Sequence, residues 1–112
     1  MENALILDNK TIEFVKEYLP QNDVLNNMVN FFSLFSDVTR VKMLSALSIT
    51  EMCVSDLSHI LEINQTTISH QLKLLRDNGF VKYRREGKII YYSAKRKTIN
   101  DVMMTGVVYL GY

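Results

Sequence analysis

Asn64-Gln65-Thr66-Thr67-Ile68-Ser69-His70-Gln71-Leu72-Lys73-Leu74-Leu75-Arg76-Asp77-Asn78 reads as one helix with two unlike faces. Ile68, Leu72 and Leu75 recur at i, i+4 and i+7, which gathers them into a single apolar stripe. Thr66, Ser69, His70 and Lys73 lie mostly away from that stripe. Asn64 carries a side-chain oxygen suited to cap the first turn. Asn78-Gly79 supplies the stop, since glycine tolerates the left-handed conformation past a helix end. The outward face holds no acid before Asp77. It offers hydroxyls, an amide, an imidazole and an ammonium, groups suited to base edges and phosphates.

Charge is distributed unevenly around this helix. The formal net charge of the 112 residues is only +1. Residues 1–37 carry two lysines against six acids, a net of −4. Residues 63–97 carry nine basic residues against Asp77 and Glu86, a net of +7. A positive segment in a nearly neutral chain is the footprint expected of a polyanion binder. A solvated basic face is the blander reading of the same cluster.

The rest of the chain is helical on both sides of one alternating stretch. Ile12, Val15 and Leu19 line a first helix, capped by Asp8 or Asn9 and ended by Pro20. Val24 to Phe35 is apolar around so much of its circumference that it is expected to be buried on two sides, one of them a second subunit. Asp37 can cap a helix from Val38 to about Ser48, Ile49 to Met52 is a connector, and Val54 to Leu61 is a short helix. The tight link Glu62-Ile63-Asn64 then makes a helix-turn-helix with the opening stretch. After Gly79, Val81, Tyr83, Ile89 and Tyr91 alternate with Lys82, Arg84, Lys88 and Ile90, and Glu86-Gly87 is the predicted hairpin turn. Arg84, Arg85 and Lys88 fall at its tip, where phosphate contact is expected. Thr98 to Leu110 is a last, strongly apolar helix.

This order is a winged helix-turn-helix. At this point the chain resembles the ArsR/SmtB family of small dimeric bacterial repressors, many of them metal-responsive. Phe35-Ser36-Asp37-Val38-Thr39-Arg40, Glu51-Met52-Cys53-Val54-Ser55-Asp56-Leu57, Ile68 to Leu75, and Arg85 to Ser93 carry the resemblance. The fold it implies is mainly α with a small β-hairpin: five to six helices and a two-stranded wing, one domain over residues 1–112. It implies a homodimer formed by the first and last helices, released from a pseudo-palindromic double-stranded DNA operator by an unidentified inducer. By that likeness Gln65, Thr66, Thr67, Ser69 and His70 face the major groove, and Lys73 lies near phosphate.

The family's metal sites fit poorly. One uses a Cys-Val-Cys pair; here Cys53 is the single cysteine and Ser55 stands at the second place. The other uses Asp and His on the final helix, where this chain has Arg96, Thr98 and Tyr109, none of them a usual zinc ligand. No cofactor is required by this reading, and the usual metal ligands are mostly absent. Cys53 stays open between an inert buried thiol, a redox-responsive thiol, and one ligand of a site completed by His59 or across a dimer. His70, with no Cys, carboxylate or second His one turn away, is better suited to the DNA face.

Other function classes find less support. There is no Gly-rich phosphate loop and no paired carboxylates or activated nucleophile beside a histidine, so an enzyme is not expected. No run approaches the ~20 apolar residues of a membrane span. The acidic start lacks a signal peptide's basic region, and one cysteine suits a reducing, cytoplasmic setting. The alternative is a winged-helix protein-interaction module that does not read DNA.

Overall fold

The computed structural model describes residues 4–112, so part of the lead expected before the first helix lies outside the described residues. Six helices and one hairpin follow in the order α1 (Asn9–Tyr18), α2 (Asn22–Ser33), α3 (Val38–Ile49), α4 (Val54–Leu61), α5 (Gln65–Asp77), β1 (Val81–Glu86), β2 (Ile89–Ala94) and α6 (Lys97–Tyr109). The chain divides into two compact units, Met1–Ser33 and Leu34–Tyr112.

In the first unit, Asp8 caps α1 by accepting the Thr11 N–H at 2.7 Å, and this bond lowers the Asp8 carboxyl from its ordinary value. Ahead of Pro20, Leu19 turns to extended backbone and ends α1. Helix α2 ends at Ser33, two residues short of the sequence expectation. No residue of α1 or α2 is buried. The two-sided burial expected for Val24 to Phe35 is therefore not met within one chain.

The buried side chains lie in the second unit. Met43, Leu44 and Leu47 of α3, Leu57 of α4, and Ile68, Leu72 and Leu75 of α5 meet Leu34, Met52, Phe80, Val81 and Ile99. Each such side chain contributes roughly 1.5–3 kcal/mol by leaving water. Asp37 caps α3 through the Arg40 N–H at 3.0 Å, and Asn64 caps α5 through the Thr67 N–H at 2.8 Å. Both caps are the ones the sequence offered.

Two helix ends close in the same way. At the end of α5 the Phe80 N–H reaches the Leu75 carbonyl at 2.8 Å and the Gly79 N–H reaches Arg76 at 3.0 Å. At the end of α4 the Ile63 N–H reaches Ser58 at 3.1 Å and the Glu62 N–H reaches His59 at 3.4 Å. Both are Schellman motifs, which need one left-handed residue. Gly79 fills that place at φ +77°, but Glu62 does so at φ +57° with a side chain attached. This tight turn sets the angle between α4 and α5.

The wing departs from the expected register. Glu86 pairs with Ile89, so the two-residue turn is Gly87-Lys88 rather than Glu86-Gly87. Gly87, at φ +62°, takes the first turn position, as a type II′ turn requires. Moving the turn by one residue moves each pairing by two, so every β2 side chain keeps its face and only its cross-strand partner changes. Tyr83 pairs with Tyr92 and Arg84 with Tyr91, so Ile89 and Tyr91 share the face of Arg84 and Glu86 and not, as the alternation suggested, that of Val81 and Tyr83. The connector before α4 also joins the sheet: Met52 and Tyr92 exchange N–H···O bonds of 3.0 and 2.9 Å.

The two Schellman positions give opposite expectations. Glu62→Gly removes a left-handed penalty and raises stability by up to about 1 kcal/mol. Gly79→Ala meets no atom within 4 Å of the added carbon, yet costs about 1–2 kcal/mol through the backbone alone. Urea or thermal melts of the two variants check both signs.

Candidate nucleic-acid interface

The inner stripe of α5 is buried at Ile68, Leu72 and Leu75, which aims the rest of the helix outward. At ~100° per residue, Thr66, His70, Lys73 and Asp77 fall within about 50° of the direction opposite that stripe. Gln65, Thr66, Ser69, His70 and Lys73 are exposed, and Thr67 is half-buried with its N–H held by Asn64. Thr66, Ser69, His70 and Lys73 thus share one accessible side of the helix, with Gln65 and Thr67 on either flank of it in the first turn. Lys73 is not bare: its ammonium pairs with Asp77 at 3.0 Å, which Arg76 also approaches at 3.8 Å. The Gln71 amide oxygen, between the two faces, is buried without a hydrogen-bond partner.

The wing is tied to this helix and to the connector by aromatic and ionic contacts. The Arg76 guanidinium of α5 lies 5.5 Å from the Tyr83 ring on β1. Arg84 is held on three sides. Its Nε donates to both carboxylate oxygens of Glu51 at 3.1 and 3.0 Å, its Nη1 donates to Glu86 at 2.8 Å, and its guanidinium lies 4.5 Å from the Tyr91 ring. The Arg84 hydrogen bonds hold the Glu51 carboxyl below its ordinary value, and the same bonds raise Arg84 further above its own. Arg85 and Lys88 are exposed and have no ion pair among the described residues. Glu51 and Tyr91 were not singled out from sequence.

Cys53 is half-buried at the start of α4, outside this face. Its thiol donates to Asp56 Oδ2 at 3.3 Å and lies 3.2 Å from the Ser55 hydroxyl. His59 is exposed in the last turn of α4. Among the described residues no three His, Cys, Asp or Glu side chains gather as a metal cluster. Nor is any described helix long and apolar enough to cross a membrane.

Helices α4 and α5 joined by a three-residue turn, followed by the β1–β2 wing, define a winged helix-turn-helix. The chain belongs to the arsR family of bacterial regulatory proteins, whose family profile matches residues 37–83. It is 40% identical over 103 residues to the cadmium resistance transcriptional regulatory protein CadC homolog of Staphylococcus aureus, covering 91% of this chain and 84% of that one. It is 39% identical over 85 residues to the transcriptional repressor SmtB homolog of Synechocystis, covering 73% of this chain and 64% of the relative, just under two thirds of its length. Among solved structures, it resembles the homodimeric winged helix-turn-helix DNA-binding domain (fragment 1–100) of a possible ArsR-family transcriptional regulator from Mycobacterium bovis. That likeness has a TM-score of 0.69 at 25% identity, over 81% of this chain and 89% of the other.

The Glu51–Arg84 pair has a defined acid dependence. A carboxylate whose folded value is depressed contributes stability above its unfolded value and loses it as pH falls through the folded one. The melting-temperature gap between the wild type and Glu51→Gln is therefore widest near neutral pH and closes in acid, below about pH 4. Thermal melts across that range test it; a gap unchanged at the acid end assigns the difference to something other than ionisation of this pair.

Proposed function

We propose that this chain is a sequence-specific transcriptional repressor that binds a pseudo-palindromic operator as a homodimer. The observation that carries the reading is the exposed polar side of α5, held outward by its buried stripe and flanked by a basic wing. Gln65, Thr66, Thr67, Ser69 and His70 supply donors and acceptors for base edges in the major groove. Lys73, Arg85 and Lys88 supply phosphate contacts, which give affinity and salt dependence without sequence choice. The names of the related regulators, and the homodimeric state of the Mycobacterium bovis domain, support the same reading.

The dimer explains the apolar surface that a single chain leaves uncovered. On α2, Val24, Met28 and Phe32 follow one another at i, i+4 and i+8 and are 46%, 45% and 51% exposed. On α6, Met104 and Val108 are 48% and 72% exposed. Faces of this kind mark association surfaces, and a two-fold partner offers the same face in return.

Polarisation titration against the chain's own upstream DNA and a random duplex tests the repressor reading. Gln65→Ala and His70→Ala are each expected to cost about 1–3 kcal/mol and to relax base choice; wild-type binding no tighter to the upstream DNA than to the random duplex refutes it. The dimer is checked by sedimentation: Phe32→Asp is expected to shift the chain to monomer and to weaken operator binding with it.

A further inference from the structure

Arg84 differs from the other basic residues of the wing. All three of its guanidinium nitrogens donate to carboxylates, Nε and Nη2 to Glu51 and Nη1 to Glu86. Three of its five N–H groups are thereby engaged, so a phosphate oxygen would find at most the two left on the terminal nitrogens. The three side chains together carry a net charge of −1, which repels a phosphate rather than drawing it in. On the same face the guanidinium lies over Tyr91, its cross-strand partner. Next to both partners the backbone closes a second tie, because Met52 follows Glu51 and Tyr92 follows Tyr91, and Met52 and Tyr92 exchange N–H···O bonds.

We propose that Arg84 is a wing-positioning residue rather than a phosphate contact: clamped by Glu51 and stacked on Tyr91, it fixes the hairpin to the segment that leads into α4. The pair spans 33 positions of sequence and ties together the same two parts of the fold as the Met52–Tyr92 bridge beside it. A hairpin of two strands alone is only marginally ordered in water. The clamp and the Met52–Tyr92 bridge together give this one a third edge to lean on. Arg85 and Lys88 are then presented to DNA from a wing whose direction is set. A planar fork bonded to one carboxylate and stacked on a ring is work that lysine cannot do.

The inference rests on the DNA-binding reading above, and its test separates the two. Salt-dependent titrations on the upstream duplex compare the wild type with Glu51→Gln, Arg84→Gln, Arg84→Lys and Arg85→Gln. Hydrogen exchange at the Met52 and Tyr92 amides is followed without DNA. The side chains of Glu51 and Arg84 are 40% and 50% exposed, and circular dichroism verifies that the variants fold. Glu51→Gln is expected to weaken binding roughly two- to fivefold, the range of an exposed ion pair, although it removes a negative charge. Arg84→Lys should behave as Arg84→Gln does, with the wild-type salt slope kept, while Arg85→Gln, lost from both protomers, lowers that slope by about two. The two amides should exchange faster in Glu51→Gln and in both Arg84 variants. Tighter binding by Glu51→Gln, restoration by Arg84→Lys, or a slope lowered by about two in Arg84→Gln overturns the proposal. If the wild type shows no preference for the upstream DNA, the repressor reading fails, and the exchange measurement decides the clamp by itself: unchanged protection at Met52 and Tyr92 overturns it.

Discussion

Burial of Ile68, Leu72 and Leu75 is the constraint on which the rest depends. These three side chains fix the rotation of α5 about its own axis, and that rotation decides which residues face outward. Leu75 also closes the helix end, where the Phe80 N–H meets its carbonyl and Phe80 is itself buried. The same contact therefore holds α5 and launches β1. A cavity at any of the three positions would turn or loosen the outward row Thr66, His70 and Lys73 as well as lower stability.

Much of this was legible from local signals. The two-faced pattern of α5, its Asn64 cap and its Gly79 stop each lie within one or two turns of chain, and the structure shows all three. The wing's register was not legible, for a physical reason. Glu86-Gly87 and Gly87-Lys88 are both acceptable turns, and β2 reads Ile89-Ile90-Tyr91-Tyr92, apolar on both faces. Both turns leave every β2 side chain on the same face, so the inside–outside pattern of the strand does not choose between the two pairings. The end of α4 was obscured by chemistry as well, because the left-handed place is filled by Glu62 where glycine is the usual signal.

The site was legible in its types and less so in its partnerships. Lys73, Arg84, Arg85 and Lys88 look alike in a charge count, yet the structure separates them. Lys73 is paired with Asp77 one turn on, Arg84 is enclosed by two carboxylates, and Arg85 and Lys88 stand exposed. The Lys73–Asp77 spacing of four could have been read from the helix. Glu51 and Arg84 have no such periodic relation, since it is the tertiary pairing at Met52 and Tyr92 that sets the connector beside the wing. The net of +7 already subtracts Asp77 and Glu86, and Glu51, which lies outside that segment, lowers the charge free to meet a phosphate by one more.

The exposed helices follow from the same economy of size. The buried side chains belong to the second unit, and α1 and α2 contribute none. A helix as apolar as α2 has two ways to leave water: against its own core or against another copy. No residue of α2 is buried, so the apolar circumference that looked like deep burial in sequence is surface that association can cover. On the dimer reading, folding and association are then linked by mass action, and stability rises with protomer concentration. The same link bears on DNA binding, because two α5 helices reach two half-sites only if the protomers are held at a fixed spacing. The helices that contribute nothing to the core of one chain would thereby set the geometry of the pair.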